Sequence, residues 1–498
     1  MKALFFFSLL LAPNVVLAQE APVPTNDSWP SIPTAEPLNE KQRVKGFPYR
    51  ENVKWLSKTP TWVSPAAKIF LKDKAFEYVG ERPDLKGTLA LISNVGSQGV
   101  SYSTFSFKRI SSPLPNGRPY EEIFYTNTSD GCFLPVFSPD GNKLVFRVGY
   151  KDSYNNILMW NLKAATWHQI PGGDPRAWRY LHDMIWSPGG RYMAHLTGSS
   201  GDGSFFDEQG KAFPEGYMLT VFDTKIGQEK LLTTQVGTEF TWTNRGTILY
   251  SHMFGEQGED VRNLRQRPAV YDMDVARGKS QKLFDGGFYA HESPDGKWIA
   301  FADWPGRIVG QEDPTPQQIE ENNGIKAGIY FYHRPTKRRM LIGELPLDLF
   351  AGRMQWLPNS RSLFVLCLQR NPLNVDEVTN VLYRIDADQQ QLKEVARFAS
   401  FLRFRGTSPD GKWLYTNANE QIDGPKFPNV IYLHTQHTFS AIEAKTGKQF
   451  IIARLKNIAN ENVDWDFHDE SAPDPNWRRA KPIEDALPDW VIDETQTR

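Results

Sequence analysis

The chain has 498 residues, and its 57 Lys and Arg against 58 Asp and Glu leave a formal net charge of −1. That balance excludes a strongly basic nucleic-acid-binding protein and a surface held to anionic lipid by bulk charge. Hydrophobic residues make up 40% of the chain and aromatic residues 13%. This is more apolar material than a disordered chain carries, so it indicates a packed core.

The N-terminal segment, residues 1–18, is predicted to be a signal peptide. One Lys precedes an apolar run, and the small residues Val16 and Ala18 occupy the −3 and −1 positions of a cleavage site. The run is too short to span a bilayer, and no later stretch is long and apolar enough to do so. We therefore expect a periplasmic or secreted protein with no membrane span. The Pro-rich residues 19–45 are expected to form an extended leader.

A repeat of about fifty residues dominates the rest of the chain. Ser-Pro-Asp-Gly or a related turn, followed by an apolar strand, occurs in six segments: Phe137–Phe146, Trp186–Ala194, Trp242–Tyr250, Glu292–Phe301, Trp356–Phe364 and Thr407–Tyr415. Pro presets one backbone dihedral, Asp bonds to the following backbone, and Gly accepts a positive φ, so each turn joins two antiparallel strands. We therefore interpret Asp140, Asp295 and Asp410 as structural turn residues.

Each repeat contains four short strands, the pattern of a β-propeller blade, so the fold class is all-β. Thr88–Ser93, Tyr102–Phe107 and Glu122–Thr126 have the pattern of the second to fourth strands of another blade. Asn462–Phe467 is predicted to supply its missing first strand. We expect seven blades, six full repeats plus this composite N- and C-terminal blade, with six blades as the alternative.

The repeats also set the remaining boundaries. They place the β-propeller over residues 46–470 and leave residues 471–498, which carry few strand signals, as a C-terminal tail. They put the only two cysteines, Cys132 and Cys367, in distant repeats. We therefore expect both cysteines to be unpaired, since two cysteines are not a disulfide framework in a chain of this size.

At these turns the chain resembles the TolB-like family of WD40-like β-propeller repeat proteins. The blade signature of that family is an aromatic residue, Ser-Pro-Asp-Gly, Lys or Arg, and an apolar strand, and the match covers roughly residues 85–456. The resemblance implies a soluble periplasmic scaffold whose funnel receives a protein or peptide partner. The alternative is an enzyme built on the propeller itself, a glycan lyase or hydrolase with its site at the channel mouth.

The first strand of each blade lines the central channel, so its polar residues are the candidate ligand-binding residues. They are His182, Asp183, Glu239, Tyr289, His291, Arg353, Arg403 and Arg405. Charges of both signs converge on one axis, and Arg binds carboxylates in a forked geometry. This channel mouth is therefore predicted to bind a protein or peptide partner or a polar small ligand. In the alternative interpretation the same residues pair with one another across a wet channel.

No cofactor and no metal are expected. The nearest pair of potential ligands, His434 and His437, lies three residues apart, and on an extended strand these side chains point to opposite faces. The acidic and Gly-rich stretch that begins at Ser199 lacks the ligand spacing and closing Glu of an EF-hand. Both features are interpreted as loop or strand residues of the blades.

Overall fold

The computed structural model describes residues 55–56, 75–78, 85–97, 100–109, 121–128, 132–148, 156–161, 166–170, 179–199, 217–252, 268–303, 327–345, 349–371, 374–386, 391–398, 401–423, 434–458 and 463–469. Their regular secondary structure is entirely β-strand, which confirms the predicted all-β class. The predicted signal peptide (1–18), leader (19–45) and tail (471–498) lie outside these residues and stay predictions.

The strands are numbered in chain order. The first group is β1 (Trp55–Leu56), β2 (Ala75–Tyr78), β3 (Gly87–Ser97), β4 (Val100–Arg109), β5 (Glu121–Thr128), β6 (Cys132–Phe137), β7 (Lys143–Val148), β8 (Asn156–Asn161) and β9 (Thr166–Ile170). The second group is β10 (Arg179–Trp186), β11 (Tyr192–Ser199), β12 (Tyr217–Asp223), β13 (Gln228–Trp242), β14 (Ile248–His252), β15 (Ala269–Asp274), β16 (Lys279–Asp285), β17 (Phe288–Glu292), β18 (Trp298–Asp303), β19 (Gly328–His333) and β20 (Arg338–Glu344). The third group is β21 (Leu349–Trp356), β22 (Ser362–Asn371), β23 (Asn374–Asp386), β24 (Gln391–Phe398), β25 (Phe401–Thr407), β26 (Trp413–Asp423), β27 (His434–Glu443), β28 (Gln449–Ile458) and β29 (Val463–Asp469).

Within the described residues the strands pair into six antiparallel sheets. Sheet I has the order β29-β3-β4-β5, sheet II β1-β9-β8-β7-β6, sheet III β10 to β16, sheet IV β17 to β20, sheet V β21 to β24, and sheet VI β2-β28-β27-β26-β25. Sheet III combines two four-stranded groups, because the long strand β13 pairs with β12 through its first part and with β14 through its second. These antiparallel four-stranded groups are consistent with a β-propeller.

The repeated turns form as the sequence predicts. In sheet IV the Ser293 hydroxyl donates to Asp295 Oδ1 at 2.6 Å, and Gly296 adopts a φ of 72°, which favours glycine. The same hydroxyl-to-carboxylate bond joins Ser138 to Asp140 at 2.5 Å and Ser408 to Asp410 at 2.6 Å. Each of these carboxylates also accepts a backbone N–H two residues on. The three Asp side chains therefore stabilise turns, as expected.

Tryptophans close three junctions between consecutive repeats. Each of these tryptophans precedes its own turn directly, and its indole donates to a backbone carbonyl in the first strand of the preceding repeat. The bonds run from Trp186 to Val136 (3.3 Å), from Trp242 to Ile185 (3.0 Å) and from Trp356 to His291 (3.0 Å). A buried indole needs a partner for its N–H, so these bonds fix how one sheet lies against the next.

The hydrophobic core lies between the sheets rather than at one centre. Phe331 of sheet IV and Trp356 of sheet V pack with ring centroids 5.2 Å apart, and Val365 joins the same cluster. Cys367 is buried in this cluster as a free cysteine, as expected, and burial raises the pKa of its thiol. The side chain of Cys132 lies outside the described residues. Sheets that bury one another's faces in this way have little apolar surface left for water.

Sheet I joins strands that are far apart in the chain. β29 pairs with β3 from Val463 opposite Ser93 to Asp469 opposite Gly87, the pairing that the sequence predicted for its missing first strand. Phe467 of β29 packs on two rings of sheet VI, Tyr415 at 4.9 Å and Phe439 at 5.7 Å. The segment near the N-terminus adds β1 to the edge of sheet II and β2 to the edge of sheet VI. Both neighbours of sheet I are thus extended by a fifth strand.

Candidate functional site

A register shift interrupts the first strand of each of the six repeats shortly before its turn. It lies between Phe133 and Val136, Leu181 and Asp183, Val236 and Phe240, Phe288 and His291, Ala351 and Met354, and Phe404 and Gly406. Such bulges bend a strand and re-aim its side chains. Four of the predicted site residues lie at this point, four positions before the first turn residue: Asp183, Glu239, Tyr289 and Arg353. Tyr289 has a φ of 55°, a left-handed conformation that is rare for a bulky residue.

Glu239 and Arg353 meet although their sheets are not neighbours. Glu239 lies on β13 of sheet III and Arg353 on β21 of sheet V, with sheet IV between them. Arg353 Nε nevertheless lies 3.5 Å from Glu239 Oε1. Both side chains therefore reach past β17, which contacts both of their strands. The Arg353 side chain is 35% exposed, so its guanidinium remains accessible to solvent while the pair holds it in place.

His291 lies on β17, between these two strands. Burial and the positive charge of Arg353 lower the pKa of its imidazole to about 3. His291 is therefore neutral at physiological pH and adds no positive charge beside the guanidinium. The group of Glu239, His291 and Arg353 thus presents one guanidinium, one carboxylate and one neutral imidazole.

The other predicted site residues do not all join this group. His182 and Asp183 lie on β10 as expected, but their side chains are outside the described residues. Arg403 on β25 is exposed, and Tyr289 on β17 is partly buried. Arg405, two residues after Arg403, lies instead where sheets VI, I and II meet. Among the described side chains, Arg405 therefore lies at a different place from the group of Glu239, His291 and Arg353.

Arg405 lines a cavity of about 200 Å³ where β29 meets β6 and β25, which we call the seam cavity. Its walls come from the ends of β6, β25 and β29 and from the neighbouring turns, and its polar lining includes Arg405, Thr407, Tyr415, Asp466 and Asp469. Asp466 is 7% exposed, and its Oδ2 accepts the Phe137 N–H at 2.7 Å. The Tyr415 hydroxyl donates to Asp469.

Burial raises the pKa of Asp466 to about 6, although the charge of Arg405 and two backbone N–H donors act in the opposite direction. Asp466 and Asp469 were not among the predicted site residues. The signal available was the acidic character of a strand, Val463–Asp469, that was otherwise identified as the first strand of a composite sheet. Nothing in the sequence showed that these carboxylates share a cavity with Arg405.

A partly buried ionic cluster occupies the junction between sheets III and IV, where Glu292 stands in the position that Trp holds in three other repeats. Arg334 lies 2.8 Å from Glu292 and 2.9 Å from Asp272, and Arg245 lies 3.3 Å and 3.0 Å from the same two carboxylates. Burial raises the pKa of Glu292, against the effect of the two arginines. Because the four charges are matched within the cluster, we assign it a structural role.

Among the side chains that the structure describes, no three His, Cys, Asp or Glu lie close enough together to hold a metal ion. His437 is buried on β27, and the side chain of His434 is outside the description. The described part of the chain contains no helix with the length and apolar character needed to cross a bilayer.

No family model matches the chain, and no curated protein matches it. Solved structures similar to it include TolB from Acinetobacter baumannii (16% identity, TM-score 0.35, 62% of this chain and 63% of that chain). Others are an oligogalacturonate lyase in complex with manganese (13%, TM-score 0.41, 74% and 86%) and a putative TolB from Agrobacterium tumefaciens (12%, TM-score 0.32, 77% and 98%). The resemblance to TolB proteins expected from the turns is thus found among similar solved structures.

Proposed function

We propose that the chain is an exported scaffold, a seven-bladed β-propeller that binds a protein or peptide partner at its channel mouth. In this proposal residues 1–18 are a signal peptide, 19–45 a leader, 46–470 the propeller and 471–498 a tail. The division of β13 between two four-stranded groups supports the blade count, because it turns six sheets into seven such groups. The pairing of β29 with β3 supports closure of the ring.

The contact between Glu239 and Arg353 is the observation that carries the binding proposal. The 3.5 Å contact with Glu239 restrains Arg353, whose side chain stays 35% exposed. An incoming carboxylate can make two parallel bonds to a guanidinium, which are shorter and stronger than this one. We infer that a carboxylate of the partner replaces Glu239 on Arg353. The neutral imidazole of His291 leaves the guanidinium as the positive group at this point.

A peptide array tests this proposal directly. The purified chain is applied to a library of peptides with free C-terminal carboxylates and to the same library with amidated C-termini. We expect binding to the free-acid peptides, weaker binding to the amides, and a loss of about tenfold or more in the Arg353→Gln variant. Arg361→Gln is the matched control, because Arg361 is an exposed arginine in the turn that follows the same strand.

Three outcomes would overturn the proposal that the chain is a scaffold. One is binding to no peptide of either library, and another is equal binding by the two Arg variants. The third is turnover of an oligogalacturonate or mixed glycan library by the purified chain, which would favour the alternative of a propeller enzyme. Products are measured by chromatography after incubation with and without added divalent metal.

A further inference from the structure

The seam cavity exists because the residues that close other junctions are different here. In three repeats a Trp precedes the turn and fills the gap to the preceding sheet. In sheet II the corresponding position, which faces sheet I, holds Phe137, and this side chain carries no indole N–H. Gly406, just before Thr407, adds no side chain, and a Cβ built on it would meet nothing within 4 Å. The result is a space of about 200 Å³.

This space is lined by charges of both signs. Arg405 comes from β25, and Asp466 and Asp469 come from β29. Asp466 is anchored by the Phe137 N–H, and Asp469 by the Tyr415 hydroxyl, so both carboxylates are fixed in position. Each carboxylate has about four acceptor sites, which leaves capacity for a further donor.

These charges restrict the chemistry of an occupant. An inorganic anion would meet two carboxylates, and a bare cation would meet the guanidinium. An apolar molecule would leave all three charged groups without solvent, which is costly. A cavity of about 150 Å³ accommodates benzene, so the volume suits a small organic molecule. A compact molecule that carries one positive and one negative group matches both kinds of wall.

We propose that the seam cavity binds a free amino acid as its zwitterion, with the ammonium group at Asp466 and Asp469 and the carboxylate at Arg405. The site is separate from Arg353 and does not depend on the proposed binding of a partner at the channel mouth. The rings of Tyr415 and Phe467, which lie 4.9 Å apart, form the apolar part of the wall and face the side chain of the ligand.

The ionisation of Asp466 supports this assignment. Its carboxylate is desolvated, and Arg405 together with the backbone donors compensates it only in part, which raises its pKa to about 6. An ammonium group in the cavity would supply the missing compensation. The other described ionisable groups that line the cavity are Arg405, Tyr415 and Asp469, and the wall from β6 contributes none. Binding is therefore expected to weaken as the pH falls below about 6, because protonation of Asp466 removes the charge that the ammonium requires.

Isothermal titration calorimetry with the purified chain tests the proposal. Each of the standard amino acids is titrated, and the best ligand is then compared with its methyl ester, which lacks the carboxylate, and its N-acetyl derivative, which lacks the ammonium. We expect the zwitterion to bind best and the ester to bind better than the N-acetyl compound, since the cavity has two carboxylates and one guanidinium. Failure of every amino acid to bind at about 10 mM, roughly ten times a millimolar Kd, overturns the proposal.

Variants locate the site. Asp466→Asn keeps an oxygen for the Phe137 N–H but removes the charge, and we expect binding to weaken about tenfold or more. Phe137→Trp introduces the indole of the other repeats where sheet II faces sheet I, and it should abolish binding by filling the space. Asp295→Asn, an identical chemical change at the exposed turn of sheet IV, away from the cavity, is the control and should bind normally.

Unaltered binding by both Asp466→Asn and Phe137→Trp would overturn the assignment. Thermal melting of each variant shows whether it is folded, and if one variant fails to fold the other still decides. Arg353→Gln should bind the amino acid as the unmodified chain does. Its loss of amino-acid binding would place the ligand at the channel mouth and overturn the seam assignment, whereas failure of the peptide array would leave this proposal intact.

Discussion

The junction between sheets IV and V and the junction where sheet I meets sheets II and VI fill equivalent space differently. At the first, Trp356 is 4% exposed, packs on Phe331 and donates to the His291 carbonyl. At the second, the cross-sheet bond runs from the Phe137 N–H to the carboxylate of Asp466, and a cavity remains beside it. The junction between sheets IV and V is therefore filled by packed side chains, whereas the junction at sheet I retains a buried charge and a cavity.

The two solutions differ in their electrostatic cost. An indole is an apolar surface whose single N–H is satisfied by one carbonyl. A buried carboxylate loses its hydration, and the raised pKa of Asp466 shows that its neighbours compensate this loss only in part. A group that costs stability where an apolar side chain would pack is a sign of function, which is why we place a ligand there.

Removing the shared strand is expected to have the largest effect. A chain truncated after residue 462 lacks β29, and with it the first strand of sheet I and the Phe467 contacts to sheet VI. We expect this chain to lose its cooperative thermal unfolding transition in circular dichroism. A chain truncated after residue 470 keeps β29 and is the control. Equal melting temperatures for the two truncations would show that β29 does not hold the ends together.

Trp356→Ala is expected to lower the free energy of unfolding by about 3–5 kcal/mol, because it removes a large buried side chain at a junction. Trp356→Phe should recover most of that loss and miss about 1 kcal/mol for the indole bond to His291. Urea denaturation measures both. Trp298→Ala is the comparison, since Trp298 is only partly buried. Similar losses for Trp298→Ala and Trp356→Ala would remove the special status of the junction tryptophans.

We expect the free energy of unfolding of the chain, relative to that of its Asp466→Asn variant, to be greatest in mild acid. Its pKa is raised from 3.8 to about 6, so the folded state binds a proton more tightly than the unfolded state. This contribution is present below about pH 4 and is lost as the pH rises through 6, a change on the order of 2 kcal/mol. Urea denaturation of both proteins from pH 4 to 7.5 measures the difference. A difference that does not vary with pH would contradict the pKa shift.

The shifted pKa of His291 should change the free energy of unfolding with pH in the opposite direction. Its pKa is lowered from 6.5 to about 3, so the unfolded state binds a proton more tightly. Its contribution is fully present above pH 6.5 and is lost as the pH falls toward 3. Because the side chain is partly exposed, we expect about 1 kcal/mol between pH 7 and 5, judged against His291→Asn. If Asn at this position left the acid sensitivity unchanged, His291 would not be the neutral group described above.

The sequence predicted which strands carry the candidate site residues, but not which of these residues lie close together. The sequence placed Glu239, His291 and Arg353 on first strands, because the turn that follows each strand has a recognisable signature. It did not show that Glu239 and Arg353 meet across sheet IV, since that depends on a register shift in each strand. Bulges leave no clear mark in residue type, and the distance between two strands of different sheets is not encoded locally.

The sequence by itself determined the repeat, the turns and the pairing partner of Val463–Asp469, because turn chemistry and alternating apolar residues act over a few residues. Only the tertiary structure decided that Asp466 and Arg405, about sixty residues apart in the chain, line one cavity. The reason is physical. Local preferences select strands and turns, whereas the burial of a carboxylate and the space beside it depend on which side chains the neighbouring sheets bring to the junction.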